Sequence, residues 1–494
     1  MRTFGLHLLQ EPCRDDWTTC TGKRSSKRTT ALCMPSMFLV LAACFAAAGA
    51  QAQSGPASLD PGPRGGFVVL PGNVNNPGNP IQGLTAGQVA AFQAALAQFI
   101  EVESVSLATG NGNGGLGPTF NSDSCGSCHS QPTTGGTSPR ADVGPAFQPN
   151  PQFTAGQVAN GKNTIPFFVT ANGPVREARF KSDGGVHDLF TIQGRTDVSN
   201  PPNNCTLAQP NFAAEAARGN LSFRIPTPVF GGGLIENIDE KTILANLTRS
   251  ASPQLGIHGV PNRSGNDGSI TRFGWKAQNK SLLIFAGEAY NVEMGVTNEL
   301  FPDERGYPPY PIPTACLLNP TPEDLTVFDP SLTLSDVAQF AIFMRFLDQP
   351  APACGGSSGI ACSTQIQSGS TTFANIGCAN CHTPSMSTTT SEFAPAALSG
   401  VQANLFSDLA LHHMGSWLAD GITQGNAGPD QFRTAPLWGL GQRVFFLHDG
   451  RTSNLAQAIL YHQSPGSEAN RVVENFEGLS MTDKQNLILF LRSL

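Results

Sequence analysis

Apolar residues recur at helical spacing in several parts of the chain. Val89, Phe92, Leu96 and Phe99 fall three or four positions apart and predict one face of an amphipathic helix. Similar patterns predict helices over residues 85–105, 281–293, 335–347 and 482–494. From about residue 130 to about residue 270 the sequence is polar and rich in turn residues, which predicts long loops.

The composition favours a compact protein with many loops. Glycine (53) and proline (38) are abundant, 13% of the residues are charged, and 39% are hydrophobic. These values argue against a coiled coil and against a disordered chain. The formal net charge of −7 and the lack of a basic patch argue against nucleic acid as a partner.

The N-terminus is typical of an export signal. Basic residues within positions 23–28 precede an apolar, Ala-rich run, and an A-x-A cleavage sequence follows at residues 50–52. We therefore expect a signal peptide over residues 1–52 and a periplasmic or secreted protein. Two alternatives stay open: an L-A-A-C sequence could direct lipidation of Cys44, and the apolar run could be retained as an anchor.

Cysteine usage fits an oxidising compartment. Of the 12 cysteines, four lie in the leader and four lie in two C-x-x-C-H motifs. The remaining four are an even number and predict two disulfides. Three pairings exist, and we favour Cys205–Cys316 with Cys354–Cys362, because the second closes a short Gly/Ser loop. Four free thiols are the alternative.

The two C-x-x-C-H motifs carry the clearest chemical signal in the sequence. Two cysteines three positions apart can reach the two vinyl groups of a haem, and the histidine that follows can ligate its iron. A zinc site would need four ligands around one metal, and the motifs lie far apart in the chain. We therefore predict two covalently bound haem c groups. The predicted attachment and ligand residues are Cys125, Cys128 and His129 for one, and Cys378, Cys381 and His382 for the other.

The two motifs imply two haem domains. A Pro-, Gly- and Cys-containing stretch over residues 348–370 is typical of a linker, so we place the domains at residues 53–350 and 351–494. The predicted fold is mainly α, with two cytochrome c-like haem domains and long loop-rich insertions in the first. The leucines of the last helix are candidates to pack on the second haem: Leu487, Leu489, Leu491 and Leu494.

Short sequences along the chain resemble those of the bacterial di-haem oxidoreductases, which are related to the di-haem cytochrome c peroxidases. They are G-L-G-P-T-F-N at 115–121, F-G-W-K-A at 273–277, L-H-H-M-G at 411–415, the stretch 432–441, L-H-D-G-R at 447–451 and F-L-R-S-L at 490–494. They span most of the chain from about residue 85. The resemblance implies that the N-terminal haem meets peroxide and that the C-terminal haem accepts and stores electrons.

The resemblance also implies a second ligand for the electron-storing iron. In the peroxidases this ligand is a methionine fourteen residues after the histidine of a His-Asp-Gly motif, and the same count from His448 reaches His462. We therefore predict His462 as the ligand, which would give a lower potential than methionine. Met386, Met414 and Met481 are the alternatives.

At the N-terminal haem the resemblance implies an open iron. Many di-haem peroxidases have a distal histidine sixteen residues after the proximal one, but this chain has Pro145 there. His187 is the next histidine and a weaker candidate for that role. His412 and His448 occur in the family motifs, where contacts with haem propionates or between domains would suit both.

Two residues match positions that act in catalysis in the peroxidases. The resemblance implies that Trp275 lies between the haems and helps electrons pass, and that Glu293 carries protons to and from bound peroxide. Glu288 is an equal candidate by residue type, and Tyr290 could line the same pocket.

The sequence therefore favours an exported peroxidase-like enzyme. It would reduce hydrogen peroxide or another small oxidant with electrons from a small periplasmic donor. Two alternatives stay open: an enzyme that activates oxygen or oxidises a protein side chain, and a non-enzymatic two-haem electron carrier with both irons six-coordinate. An apolar distal pocket would favour oxygenation. A calcium ion between the domains would fit the resemblance, although no acidic loop indicates one. The sequence does not indicate the oligomeric state.

Overall fold

A computed structural model describes residues 59–64, 78–105, 114–140, 149–157, 163–193, 195, 205–306, 312–325 and 334–494. These residues belong to one compact unit over residues 56–494. The predicted signal peptide, Cys44 and Pro145 lie outside the described residues. Among the residues that are described, none of the helices is long and apolar enough to cross a membrane.

Thirteen α-helices occur in the described part of the chain, and most are short. They are α1 (Ala86–Phe99), α2 (Cys125–Cys128), α3 (Pro151–Gln157), α4 (Phe212–Ala217), α5 (Gly232–Glu236), α6 (Glu240–Ser250), α7 (Leu282–Met294), α8 (Asp336–Phe346), α9 (Thr364–Asn375), α10 (Gly415–Leu418), α11 (Leu455–Leu460), α12 (Asn470–Glu477) and α13 (Met481–Ser493).

The four predicted helices are present as α1, α7, α8 and α13. Each starts after a residue whose hydroxyl accepts a backbone N–H of the first turn, namely Thr85, Ser281, Ser335 and Ser480. Two expectations were wrong. Helix α6 lies within the stretch predicted as loops, and α9 begins at Thr364, inside the predicted linker. Asp239 and Ser363 cap these two helices, so local N-cap chemistry could have indicated both.

The strands form five small antiparallel pairs among the described residues. The pairs are β1 (Thr119–Phe120) with β3 (Phe190–Thr191), β2 (Glu177–Phe180) with β4 (Leu221–Arg224), β5 (Asn262–Arg263) with β6 (Ile270–Thr271), β7 (Met386–Ser387) with β8 (Gln402–Ala403), and β9 (Leu411–His413) with β10 (Gln431–Arg433). Helices, with the 3-10 turns counted in, cover only 34% of the described residues. The fold therefore combines helices with small sheets and long loops, and the division into two cytochrome c-like domains stays a prediction.

Two groups of helices build the walls of the site. Helices α1, α7 and α8 pack together, with the Phe99 and Phe343 ring centroids 4.4 Å apart. Helices α9 and α13 pack through Phe373 and Phe490, whose centroids are 5.4 Å apart. Burial of such aromatic side chains is the main favourable term holding these helices in place.

The two disulfides confirm the favoured pairing of the cysteines. Cys205 is bonded to Cys316 across 111 residues, and Cys354 is bonded to Cys362 across 8. Closing a loop of about 100 residues stabilises a fold by about 4 to 5 kcal/mol in the chain-entropy model. The longer bridge therefore ties the loop-rich segment before α6 to the segment after α7.

Candidate functional site

The first C-x-x-C-H motif forms the short helix α2, and its histidine follows as the C-cap residue. The Nδ1 atom of His129 lies 3.0 Å from the carbonyl oxygen of Gly136. Because a carbonyl only accepts, Nδ1 carries the proton and donates, and the Nε2 lone pair is free. Burial lowers the pKa of His129 to about 4, so the ring is neutral at pH 7.

The second motif forms a 3-10 turn over Cys378–Asn380 and has the same arrangement. His382 Nδ1 lies 3.0 Å from the carbonyl oxygen of Phe406, which again leaves Nε2 free. Burial lowers the pKa of this ring to about 4 as well. Each motif therefore presents a neutral imidazole in a fixed orientation, which is the form that ligates a metal.

An open cavity, the first cavity, lies beside α2 between α1, α7 and α8. Its chemically relevant lining residues are Cys125, Cys128, His129, Glu177, Arg179, Arg224, Trp275, Glu288, Tyr290, Glu293 and Met294. Among the described residues, His129 is the only histidine in this lining. His187 is elsewhere, stacked on Phe180 at 3.7 Å and bonded to Asp183 at 3.1 Å.

Glu293 and Glu177 form a carboxyl pair in the first cavity. Their side chains are hydrogen-bonded to each other, which requires a proton on one of them. Burial and the neighbouring Glu177 raise the pKa of Glu293 well above its usual value. Burial opposes ionisation of Glu177 too, but the charges of Arg179 and Arg224 outweigh it and lower its pKa. Glu293 therefore holds the proton, and Glu177 is the charged partner of Arg179.

A second open cavity lies beside the second motif, between α9, α11, α12 and α13. His382 and His462 both line it. His462 Nδ1 lies 2.7 Å from the carbonyl oxygen of Ala458, so its Nε2 is also free. Of the three methionine alternatives, Met414 lines the second cavity, whereas Met386 is buried in a separate core cluster and Met481 is exposed.

The last helix, α13, contributes apolar side chains to the second cavity. Two of the four leucines predicted to pack on the second haem line this cavity. Leu487 and Leu491 line it, while Leu494 lines a different groove. Together with Phe373 they form part of an apolar wall.

Trp275 is the residue that the two cavities share. Its side chain lines both of them, and its Nε1 donates to the carbonyl oxygen of Ile225 at 2.8 Å. The Trp275 ring meets His448 edge to face at 6.4 Å, and His448 stacks on Phe432 at 4.3 Å. A rigid aromatic group therefore separates the two cavities.

His448 and His412, the other two histidines of the family motifs, lie in different surroundings. His448 lines the second cavity through this aromatic stack. His412 lines it too, with Nε2 at 2.9 Å from Asp408 and Nδ1 at 2.8 Å from Glu468. Because both carboxylates accept, both ring nitrogens carry protons and the ring is cationic.

Several polar residues that line the two cavities were not predicted from the sequence. Glu177 and Arg179 on β2 face the first cavity, and Arg433 and Arg443 face the second. Their roles depend on tertiary contacts, since Glu177 lies 116 positions before its partner Glu293. Alternation on a short strand gives no signal for such a pair.

The donor set of both cavities fits a haem. Each cavity offers two free thiols and one neutral imidazole, whereas the other four described cysteines are paired in disulfides. Burial raises the pKa of Cys128 and of Cys378 to about 12, so these thiols stay protonated. A protonated thiol has the hydrogen that addition across a vinyl group requires, so these cysteines suit covalent attachment of a haem.

Comparison with known proteins identifies the family. Residues 190–494, more than half of the chain, match the family described as "Di-haem oxidoreductase, putative peroxidase". No curated protein matches the chain. A solved structure of Kuenenia stuttgartiensis hydrazine synthase is 14% identical over 55% of this chain and 73% of that one, with a TM-score of 0.27. The structure of a MauG-like protein associated with microbial copper homeostasis is 16% identical over 32% of this chain and 52% of that one, with a TM-score of 0.23. Both TM-scores are too low to indicate a shared fold. On the family match, the chain belongs to the di-haem oxidoreductases and is a di-haem redox enzyme.

Proposed function

We propose that this protein is an exported di-haem c-type enzyme with peroxidase-like activity. The observation that carries the proposal is the difference between the two cavities. The first combines one histidine with a buried carboxyl pair, and the second combines two histidines, His382 and His462, whose Nδ1 atoms are held by backbone carbonyls, with an apolar wall. The first suits chemistry on a small oxidant, and the second suits an iron held on both faces that exchanges electrons.

Covalent attachment is part of the proposal. Each motif cysteine would add its thiol across one haem vinyl group, forming a carbon–sulfur bond with the proton going to the other vinyl carbon. Cys125 and Cys128 would hold one haem, and Cys378 and Cys381 the other. In this arrangement His129 and His382 are the proximal ligands and His462 is the second ligand in the second cavity.

Reduction of hydrogen peroxide to two waters consumes two electrons and two protons. A haem in the first cavity would supply an iron through which the two electrons reach the peroxide. Glu293 holds a proton inside this cavity, and Glu177 can accept or return one because the two carboxyls are hydrogen-bonded. Arg179 stabilises the charge that remains on Glu177. The pair therefore supplies the proton transfer that O–O cleavage needs.

Electrons are proposed to enter from a small periplasmic donor at the C-terminal haem and pass to the N-terminal one. Trp275 supports transfer between the two haems, since it lines both cavities and its indole is held by a 2.8 Å hydrogen bond to Ile225. A carrier with two six-coordinate irons is less well supported, because His129 is the only described histidine that lines the first cavity.

Oxygen activation or side-chain oxidation is the second candidate function. An apolar distal pocket would favour it, but the first cavity contains Glu177, Glu288 and Glu293 together with Arg179. These carboxyl groups and the guanidinium favour peroxide. A structural calcium ion remains a proposal by resemblance only.

Replacing Glu293 with glutamine tests the proposed proton transfer. General acid–base catalysis contributes about 100- to 10,000-fold to a rate, so we expect Glu293→Gln to lower kcat for peroxide by at least about 100-fold. The wild-type rate should also fall as the pH rises through the elevated pKa of Glu293, where its proton is lost, and the variant should lack this fall.

Glu288→Gln is the matched comparison, because Glu288 lines the same cavity on the same helix and is hydrogen-bonded to Asn279. We expect it to lose much less activity. Full peroxide turnover by Glu293→Gln with unchanged peroxide binding would rule out the acid–base role. An inactive wild type that carries both haems would instead count against the peroxidase function.

A further inference from the structure

Two arginines line the second cavity without a carboxylate partner. Arg433 and Arg443 are 8% and 7% exposed, and both belong to the cavity lining. Arg433 Nε donates to the carbonyl oxygen of Gly274 at 3.0 Å. Within the part of the chain that the structure describes, neither guanidinium forms an ion pair with an acidic residue.

This arrangement is unfavourable for the protein alone. Burial lowers the pKa of both arginines to about 10, and the charge of Arg443 adds to the effect on Arg433, so the two cations are close enough to repel each other. A buried charge is costly unless it is paired. Two adjacent buried cations facing one cavity therefore call for two negative charges from whatever fills that cavity.

Several other buried arginines are paired with carboxylates, and Arg272, which has no carboxylate partner among the described residues, donates to three backbone carbonyl oxygens instead. Arg492 lies 2.7 Å from Asp60, and Arg224 lies 2.7 Å from Asp420. The contrast indicates that the missing anions belong to the ligand of the second cavity. A planar guanidinium suits this task, because it binds a carboxylate through two parallel hydrogen bonds.

We infer that Arg433 and Arg443 bind the two propionate carboxylates of the haem in the second cavity. The inference rests on the proposed function, which puts a haem beside His382 and His462. The backbone N–H of Arg433 also donates to the carbonyl oxygen of Trp275 at 2.9 Å. The arginines would therefore hold the acidic edge of the haem at the segment that carries Trp275, between the two cavities.

The inference makes an electrochemical prediction. Positive charge beside a haem favours its reduced state, so removing one arginine should shift the midpoint potential of the low-spin haem to more negative values. We expect this shift in Arg443→Leu and in the more conservative Arg443→Gln, and a return toward the wild-type potential in Arg443→Lys. Spectroelectrochemical titration of the purified, haem-loaded protein measures it.

Arg471→Leu is the charge-matched control, since Arg471 is exposed on α12, and its midpoint should match that of the wild type. An unchanged midpoint in Arg443→Gln, with two haems per chain and an intact low-spin signal, would overturn the inference and leave the proposed function standing. A wild-type protein with fewer than two haems would overturn the proposed function instead.

An oxyanion from the solution is the alternative source of the negative charge beside Arg433 and Arg443. If phosphate occupies the arginines, the wild-type midpoint will shift when phosphate replaces a neutral buffer at constant ionic strength, and the inference would be wrong. If the propionates occupy them, the wild-type midpoint will not respond to phosphate.

Discussion

Replacing His462 with alanine is expected to abolish the low-spin signal of one haem and to leave the other haem unchanged. The reason is that His382 and His462 line one cavity, and each has its Nδ1 committed to a backbone carbonyl, at 3.0 and 2.7 Å. Two imidazoles with free Nε2 atoms can hold one iron from both sides, which makes it low-spin. Removing one of them opens a face of that iron.

The measurement is low-temperature electron paramagnetic resonance of ferric His462→Ala, together with its visible spectrum. The matched control is Met414→Leu, because Met414 lines the same cavity and is the methionine alternative that lies there. It should retain both wild-type signals. A His462→Ala spectrum identical to that of the wild type would contradict the assignment of His462 as the second ligand. Loss of the low-spin signal in Met414→Leu would instead identify the Met414 thioether as that ligand.

Replacing both cysteines of one motif with serine is expected to remove one covalent haem and keep the other. Serine cannot form a thioether with a vinyl group, and the half-buried Cys378 and Cys381 form no disulfide. The Cys378→Ser/Cys381→Ser protein should therefore lose half of its haem when it is denatured and extracted with acidified acetone. Mass spectrometry of the chain counts the haems that remain.

The control for this experiment is the disulfide pair Cys354 and Cys362, which lies near the second motif in the sequence. The double serine variant of this pair loses a bridge that closes only 8 residues and should keep both haems. If two haems survive extraction from the motif variant, covalent attachment through Cys378 and Cys381 is wrong.

Much of the local structure was predictable because its causes are local. Helices α1, α7, α8 and α13 combine an apolar spacing with a capping hydroxyl, and the disulfide pairing followed from compartment and loop length. Helix α9 was missed because its Ser, Thr and Gln residues resemble a loop, although Ser363 caps it and Phe373 anchors it.

Site residues were predictable where a sequence motif, or a spacing known from the resembling family, identifies them. They were not predictable where the role of a residue depends on contact with a residue distant in the sequence. His462 followed from a count, and the structure brings it to the cavity of His382. Glu177 had no such signal, because only the pairing of β2 with β4 and the packing of α7 bring it to Glu293. The same holds for Arg443, whose proposed role comes from the lack of an acidic partner among the described residues.

Electron paramagnetic resonance of the purified, fully haem-loaded ferric protein tests most directly whether one iron is open and the other is held on both faces. The arrangement around His129 predicts one high-spin haem, and the pair His382 and His462 predicts one low-spin haem. We therefore expect both signals in equal amounts. Two low-spin haems would contradict the proposed open site at rest and would favour a two-haem electron carrier.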